Sequence, residues 1–408
     1  LAQLGGDDLT RGFLSAVELG RSSISLKALS IVANRLDLPM SYFLNDTATD
    51  TDALAELLLD EAETAIRTQR PSDALRIVAE VDEPPNLRSR KLWLHGWALT
   101  NLGRAREAIP LLEEAVALSE SDGDVREITS AQYILALALW GATNYDEAMI
   151  YLRRAHDHAM SQLDDPSLLG KITVAIGHVH YMQGDLESAL AQYARARELF
   201  DTIRDLDYLA AVYTGLSRIH RQKGDLRAAL RYSRLSLGIF EARHNERNAA
   251  HELNNMASHY EELGDTDQAL ATVTDAVNRA QGSQSPDIEA LARSTLASVF
   301  LRLGDVAQAG QQAEKSQRLG QSDQDLGSID ALVVLAKIAE QQSETEQADA
   351  FYGRALAALE SIGLHTRYAD VALAYSETLR ARGDIEEALE YALTAAKALA
   401  ARRSSSTR

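Results

Sequence analysis

The sequence contains no cysteine, no long apolar run and no excess of positive charge. Without cysteine, the chain forms neither disulfides nor thiolate metal sites, which is expected in a reducing cytoplasm. The longest uninterrupted apolar stretch, Tyr133 to Trp140, has eight residues, whereas a membrane-spanning helix needs about 20. We therefore expect a cytoplasmic protein that does not bind membranes.

The charge balance restricts the partners. Lysine and arginine number 41 against 60 aspartates and glutamates, so the formal net charge is −19 at pH 7. A surface this acidic repels nucleic-acid phosphates over most of its area. Any binding to nucleic acid must therefore use a local patch.

Motifs that carry catalysis are also missing. The sequence has no P-loop, no H-E-x-x-H helix and no G-x-S-x-G nucleophile turn. His178 and His180 are two residues apart, so on a helix they point to different sides and do not share a metal ion. These absences favour a binding protein over an enzyme, with no cofactor and no catalytic or metal-binding residues.

What the sequence does contain is a repeat of about 40 residues. A small-residue turn position is followed five residues later by an alanine, and successive turns are 40, 41, 40, 40, 40, 39 and 40 residues apart. Such a period indicates stacked units that are each too small to bury a core alone. The turn positions are Gly103, Thr143, Gly184, Gly224, Gly264, Gly304, Ser343 and Gly383, and the alanines are Ala108, Ala148, Ala189, Ala229, Ala269, Ala309, Ala348 and Ala388.

Each unit has the pattern of two antiparallel helices joined by the turn. The residues seven before and twelve after every turn are small, which allows two helix backbones to cross closely. The small-turn-alanine-small pattern resembles the tetratricopeptide repeat. A shorter unit with Ala74 in the alanine position precedes the series. We therefore predict an all-α protein with an α-solenoid of about nine helical pairs over residues 53–401, followed by a flexible tail at 402–408.

Residues 1–46 lack this period. Thr10 is a good N-cap and Gly20 a good helix stop, and a second helix starts at Ser25-Leu26. Together with Leu14 and Val17, these residues resemble an XRE-type helix-turn-helix whose first helix is missing, joined to the solenoid by a linker at 47–52. The resemblance implies that the helix Thr10–Leu19 enters the DNA major groove. The DNA-binding residues it implies are Thr10, Arg11, Gly12, Ser15, Ala16 and Arg21. Within residues 1–44, four basic and four acidic residues leave no net charge, so the alternative is a small helical cap on the first repeat.

The resemblance to tetratricopeptide proteins also implies where a ligand binds. In that family the first helix of each pair lines an inner groove, mainly through positions ten, six and three before the turn. Aromatic rings there grip side chains, an asparagine pairs with a peptide main chain, and an arginine takes a carboxylate. The alternatives are that the tryptophans pack between layers and that Arg218 and Arg221 are solvated and paired with acids. The predicted ligand-binding residues are Trp93, Trp97, Tyr133, His178, Tyr181, Arg218, Arg221, His251 and Asn254.

The order of the two segments resembles bacterial ligand-responsive regulators, including the peptide-pheromone receptors used in quorum sensing. That resemblance implies a homodimer that binds operator DNA, with a peptide or protein in the groove changing the superhelical pitch. The last helix supports dimerisation, because Leu389, Ala392, Ala396 and Leu399 form an apolar face. Two alternatives remain: an interaction scaffold without DNA binding, and the sensor part of a larger assembly with a partner enzyme.

Overall fold

The computed structural model describes residues 48–81, 85–320 and 325–404, together with the single positions 17, 28 and 31–33. The six residues predicted to contact DNA (Thr10, Arg11, Gly12, Ser15, Ala16 and Arg21) lie outside the described residues. Within those three ranges, the regular structure consists of eighteen α-helices and one short 3-10 turn at Pro85–Leu87, without a β-strand. The helices are α1 Ala48–Arg67, α2 Pro71–Glu80, α3 Arg88–Asn101, α4 Ala105–Asp122, α5 Val125–Gly141, α6 Tyr145–Gln162, α7 Pro166–Gln183, α8 Leu186–Ile203, α9 Leu206–Gln222, α10 Leu226–Ala242, α11 Glu246–Leu263, α12 Thr266–Gly282, α13 Pro286–Arg302, α14 Val306–Leu319, α15 Leu326–Gln341, α16 Thr345–Ile362, α17 His365–Arg382 and α18 Ile385–Ser404.

Consecutive helices form nine pairs, from α1/α2 to α17/α18. The chain divides into two compact units, with α1–α6 in unit 1 (Leu1–Leu163) and α7–α18 in unit 2 (Asp164–Arg408). Inside each unit, every pair packs against the next pair along the chain. The predicted all-α solenoid of tetratricopeptide-like pairs is confirmed.

The turns inside the pairs have the backbone conformation that the sequence predicts. All eight turn positions have positive φ, from 61° at Ser343 to 98° at Gly383. Glycine adopts this left-handed conformation without a steric penalty. The aspartate that follows then starts the second helix: the Asp185 side chain accepts a hydrogen bond from the Ser188 backbone N–H, and Asp225 does the same for Ala228. The Gly-Asp step therefore ends one helix and begins the next.

Small residues let the two helices of a pair approach. The alanine after each turn is at most 5% exposed. Gly96 is equally constrained, because a Cβ there would lie 2.7 Å from Cδ2 of Leu112. Large side chains such as Leu112 and Phe200 fill the remaining space and are fully buried, and each contributes about 1.5–3 kcal/mol by leaving water. Alternation of small and large residues thus holds the pairs at a fixed separation.

Candidate ligand-binding groove

The first helices of the pairs in unit 2 present polar side chains to two cavities, and α11 contributes to both. The first cavity, of about 270 Å³, is lined mainly from α7, α9 and α11 by His178, Thr214, Arg218, Asn248 and His251, with Tyr193 reaching in from α8. The second, of about 290 Å³, is lined from α11, α13, α15 and α17. The predicted residues His178, Arg218 and His251 therefore come together in one place.

Arg218 is the cation of the first cavity. Its guanidinium carbon lies 5.1 Å from the ring centroid of Tyr181, close enough for a cation–π interaction. No carboxylate of the described ranges lies within ion-pair distance of Arg218, whereas one turn later Nη2 of Arg221 lies 2.5 Å from Oε1 of Glu262. The two arginines thus differ: Arg221 is neutralised, and Arg218 keeps its donors available to a ligand.

Tyr193 enters the cavity through space that two glycines provide. Its side chain packs beside Gly177 of α7 and Gly215 of α9, and a Cβ on Gly215 would lie 2.5 Å from the ring carbon Cζ. Burial raises the pKa of Tyr193 to about 12, so the phenol stays neutral at physiological pH. The sequence analysis did not predict Tyr193 as a site residue. The available signal was a tyrosine in the second helix of a pair, together with glycines in the first helices on either side of it.

The two histidines of the cavity are neutral near pH 7. Burial lowers the pKa of His178 to about 3, and the positive charge of Arg218 contributes. Burial likewise lowers the pKa of His251, with smaller contributions from Arg218 and Arg247. Because neither imidazole is charged, Arg218 supplies the positive charge of this cavity.

A buried polar network lies directly behind the cavity. Thr214 Oγ1 donates to Oε2 of Glu252 at 2.8 Å and lies 2.8 Å from Oγ of Ser236. Glu252 is fully buried, and burial raises its pKa. Glu252 is not within ion-pair distance of Arg218, and its Oε2 is already bound to Thr214. Thr214, which borders both the cavity and this network, connects the two.

Asn254 of α11, predicted to bind the ligand, is buried in the structure. Its side chain is 4% exposed, and its Oδ1 atom has no hydrogen-bond partner. Asn254 lines neither cavity, whereas Asn248 and His251 of the same helix do. A ligand would therefore reach Asn254 only after movement of the side chains above it.

The second cavity is rich in hydroxyl groups and paired charges. Glu261 accepts hydrogen bonds from Ser298 Oγ at 2.6 Å and from Nε of Arg302 at 3.2 Å. Nη2 of Arg367 lies 2.6 Å from Asp330. Asp330 and Arg367 were not predicted, although Asp330, like His251, lies thirteen residues before its turn, one helical turn earlier than position ten. The paired ions make this cavity polar without a strong net charge.

The predicted aromatic residues at 93, 97 and 133 belong to unit 1. The rings of Trp93 and Trp97 lie 5.3 Å apart on α3 and pack against the hydrophobic cluster of α1, α2 and α3. Trp93 Nε1 is buried without a hydrogen-bond partner, and Tyr133 on α5 is half-buried. The tryptophans thus pack between layers of helices, which is the alternative given for them in the sequence analysis. Both residues remain partly exposed.

The part of the chain that the structure describes contains no group of three metal-ligating His, Asp or Glu side chains. In the same part, none of the helices combines the length and the apolar character that crossing a bilayer requires.

Comparison with known proteins identifies the repeat. Models of the tetratricopeptide repeat match residues 94–160, 168–242 and 254–324. The chain therefore carries tetratricopeptide repeats. No curated protein sequence matches the chain significantly.

Solved structures share the fold over most of the chain. The crystal structure of a Rap protein with competence and sporulation factor has a TM-score of 0.65 and 13% identity, covering 86% of this chain and 99% of that one. NprR in complex with its cognate peptide NprX has a TM-score of 0.54 and 16% identity, covering 85% of this chain and 89% of that one. The apo form of the quorum sensor NprR from B. thuringiensis has a TM-score of 0.57 and 16% identity, covering 84% of this chain and 98% of that one. At these identities the likeness shows a common fold.

Proposed function

We propose that the protein is a peptide-responsive regulator whose unit 2 groove binds an extended peptide. The observation that carries the proposal is the first cavity, where Arg218 has no carboxylate within ion-pair distance among the described residues. Support comes from the fold, which is similar to that of a Rap protein with competence and sporulation factor and of NprR with its cognate peptide NprX.

The chemistry of the groove suits such a ligand. An extended peptide presents main-chain donors and acceptors at regular intervals, and Thr214 and Asn248 offer hydroxyl and amide partners. Arg218 provides charge-assisted hydrogen bonds to a carboxylate, which are stronger than neutral ones. A ligand that contacts several first helices favours one packing of the pairs, and only such a difference in affinity drives a switch.

Peptide binding can be tested without knowing the natural ligand. A displayed library of random octapeptides would be selected on the intact protein, on Arg218→Gln and on Arg243→Gln. Arg243 is the matched control because it pairs with Asp207 and lines neither cavity. We expect enriched peptides to bind the wild type and Arg243→Gln but to be weakened on Arg218→Gln. Failure to enrich any peptide on the wild type would contradict the proposal.

We further propose that residues 1–46 bind operator DNA and that the protein acts as a homodimer. The support is the resemblance of the segment order to helix-turn-helix regulators. The test is selection of genomic fragments by the full-length protein, followed by binding measurements at two salt concentrations and with Arg11→Ala. Sequence-selective binding that weakens with salt and with the substitution is the expected result. Peptide binding without any DNA binding would leave an interaction scaffold instead.

A further inference from the structure

We propose that the first cavity of unit 2 is a proton-coupled carboxylate site, in which Arg218 binds the carboxylate and His251 takes up a proton on binding. This inference rests on the proposed function, since it takes a peptide as the source of the carboxylate. It adds the chemical class of the group that the cavity recognises and a dependence of affinity on pH.

The cavity presents one guanidinium, that of Arg218, which forms no ion pair with a carboxylate of the described residues. The carboxyl group nearest in the network, Glu252, is buried behind Thr214 and hydrogen-bonded to it through Oε2. Tyr193 contributes a neutral phenol. An incoming carboxylate can therefore bind a guanidinium that is not ion-paired with any acid of the described ranges. The cavity is partly enclosed, and charge-assisted hydrogen bonds are strong in such a place.

His251 is surrounded by a defined set of charges. On its own helix, Arg247 forms an ion pair of 2.5 Å with Asp287 of α13, and Glu252 is the adjacent residue. Helix α9 contributes Arg218, while α7 and α8 contribute the neutral side chains of His178 and Tyr193. Arg247 is paired with Asp287, whereas Arg218 has no ion-pair partner among the described residues, and Arg218 is the charged side chain that affects the pKa of His251 most.

A bound carboxylate reverses this situation. Burial, followed by Arg218 and Arg247, lowers the pKa of His251 in the free protein. A carboxylate held by Arg218 in the same cavity offsets this repulsion and adds an attraction, and a nearby opposite charge raises the pKa of a histidine. His178, with a pKa of about 3, stays largely neutral after such a rise. The proton therefore goes to His251.

Proton uptake by His251 makes the affinity depend on pH. His251 is mainly neutral in the free protein near pH 7, and a bound carboxylate raises its pKa, so binding takes up a fraction of a proton, at most one. Affinity then rises as the pH falls through the range between the free and bound pKa values of His251. The steepest possible dependence is about tenfold per pH unit, since one proton is involved.

NMR of the intact chain with ¹³C-labelled histidine rings tests this inference. The probes are N-acetyl-Ala-Ala, its C-terminal amide, and N-acetyl-aspartate amide, which carries its carboxylate on a side chain. We expect both carboxylate probes to raise the pKa of His251 saturably at tens of millimolar, and the amide to leave it unchanged. A response to only one of the carboxylates identifies a terminal or a side-chain group as the source. No saturable shift with either, or an equal shift with the amide, would overturn the proposal.

Three variants separate the roles. Loss of one resonance in His251→Gln assigns the signal, and this variant should bind the carboxylate with an affinity that no longer depends on pH. His365→Gln, at a histidine that lines neither cavity, should keep the pH dependence, and Arg218→Gln should lose the binding while the far-ultraviolet circular dichroism stays native. Library peptides that bind regardless of pH and of a free carboxylate would refute the proton-coupled site and leave the proposed peptide function intact.

Discussion

Arg218 and Arg221 lie one helical turn apart on α9, but only Arg221 forms an ion pair. Arg221 is exposed and paired with Glu262, whereas Arg218 is half-buried against Tyr181 and borders the first cavity. Exposed ion pairs contribute little because solvent screens them. A half-buried arginine with available donors contributes more to the free energy of ligand binding than an exposed, paired one.

The first prediction concerns Arg218→Gln. We expect this substitution to weaken a library-selected peptide by about 10- to 100-fold, since hydrogen bonds to a charged group contribute about 1.5–3 kcal/mol. Thermal stability should change little, because no ion pair of the described residues is lost and only the cation–π interaction with Tyr181 disappears. Calorimetric titration measures the affinity, and Arg221→Gln is the control that should keep it. Equal affinities for the wild type and Arg218→Gln would remove Arg218 from the site.

The second prediction concerns the space that glycine provides for Tyr193. Gly215→Ala places a methyl group against the tyrosine ring, and overpacking of this kind destabilises a fold by about 1–3 kcal/mol. Gly238→Ala is the control on α10, because nothing lies within 4 Å of its Cβ position. The free energy of unfolding of that variant should rise by up to about 1 kcal/mol, because alanine has a higher helix propensity than glycine. Denaturant unfolding compares the two, and an unchanged stability of Gly215→Ala would show that the ring has another position available.

At the scale of the helical element, the turns inside the pairs are local structures that the sequence specifies well. Gly184 and Gly264 have φ of 84° and 78° and are followed by capping aspartates. Two turn positions depart from glycine, Thr143 with φ of 64° and Ser343 with φ of 61°. A β-branched residue in the left-handed region carries strain of about 1–2 kcal/mol.

The third prediction follows from that strain. Thr143→Gly should raise the melting temperature, since glycine occupies the left-handed region without a clash. Gly304→Ala is the reciprocal change, at φ of 80° with nothing within 4 Å, and it should lower the melting temperature by a similar amount. Differential scanning calorimetry measures both. A destabilised Thr143→Gly would mean that hydrogen bonds of the threonine hydroxyl, such as the one to Ala142 O, outweigh the backbone strain.

The groove was less predictable than the turns, for physical reasons. The register of the repeat predicts that His178, Arg218 and His251, on α7, α9 and α11, lie on the inner faces of their helices, and all three line the first cavity. The same rule did not foresee the burial of Asn254, which depends on how α11 packs against its neighbours. Tyr193 comes from a second helix through a gap between two glycines, and the pairing of Arg221 needs Glu262 of α11. Such contacts are set by tertiary packing.

At the scale of the whole molecule, the end of the array has an exposed apolar stripe. Ile385, Leu389 and Leu393 follow one another at intervals of four on α18 and are 60%, 59% and 53% exposed. Leu399 adds to this surface with 37% exposed. The apolar face expected from the sequence is therefore wider at its start, and an apolar surface of this kind is typical of an interface.

The fourth prediction is that this stripe mediates the proposed homodimer. The double substitution Leu389→Glu and Leu393→Glu should convert a dimer into a monomer, because it places charges on two side chains that the dimer would bury. Leu373→Glu on α17 is the control, since Leu373 is also exposed, at 43%, but lies outside the stripe. Sedimentation equilibrium measures the mass. A wild-type monomer at tens of micromolar would contradict the dimer.

The central claim is that a peptide occupies the groove of unit 2, and hydrogen exchange tests it most directly. A library-selected peptide would be added to the intact protein, and backbone exchange would be followed by mass spectrometry with and without it. We expect slower exchange in α7, α9 and α11, around His178, Arg218 and His251, when the peptide is bound. Protection confined to other parts of the chain, with these three helices unchanged, would contradict it.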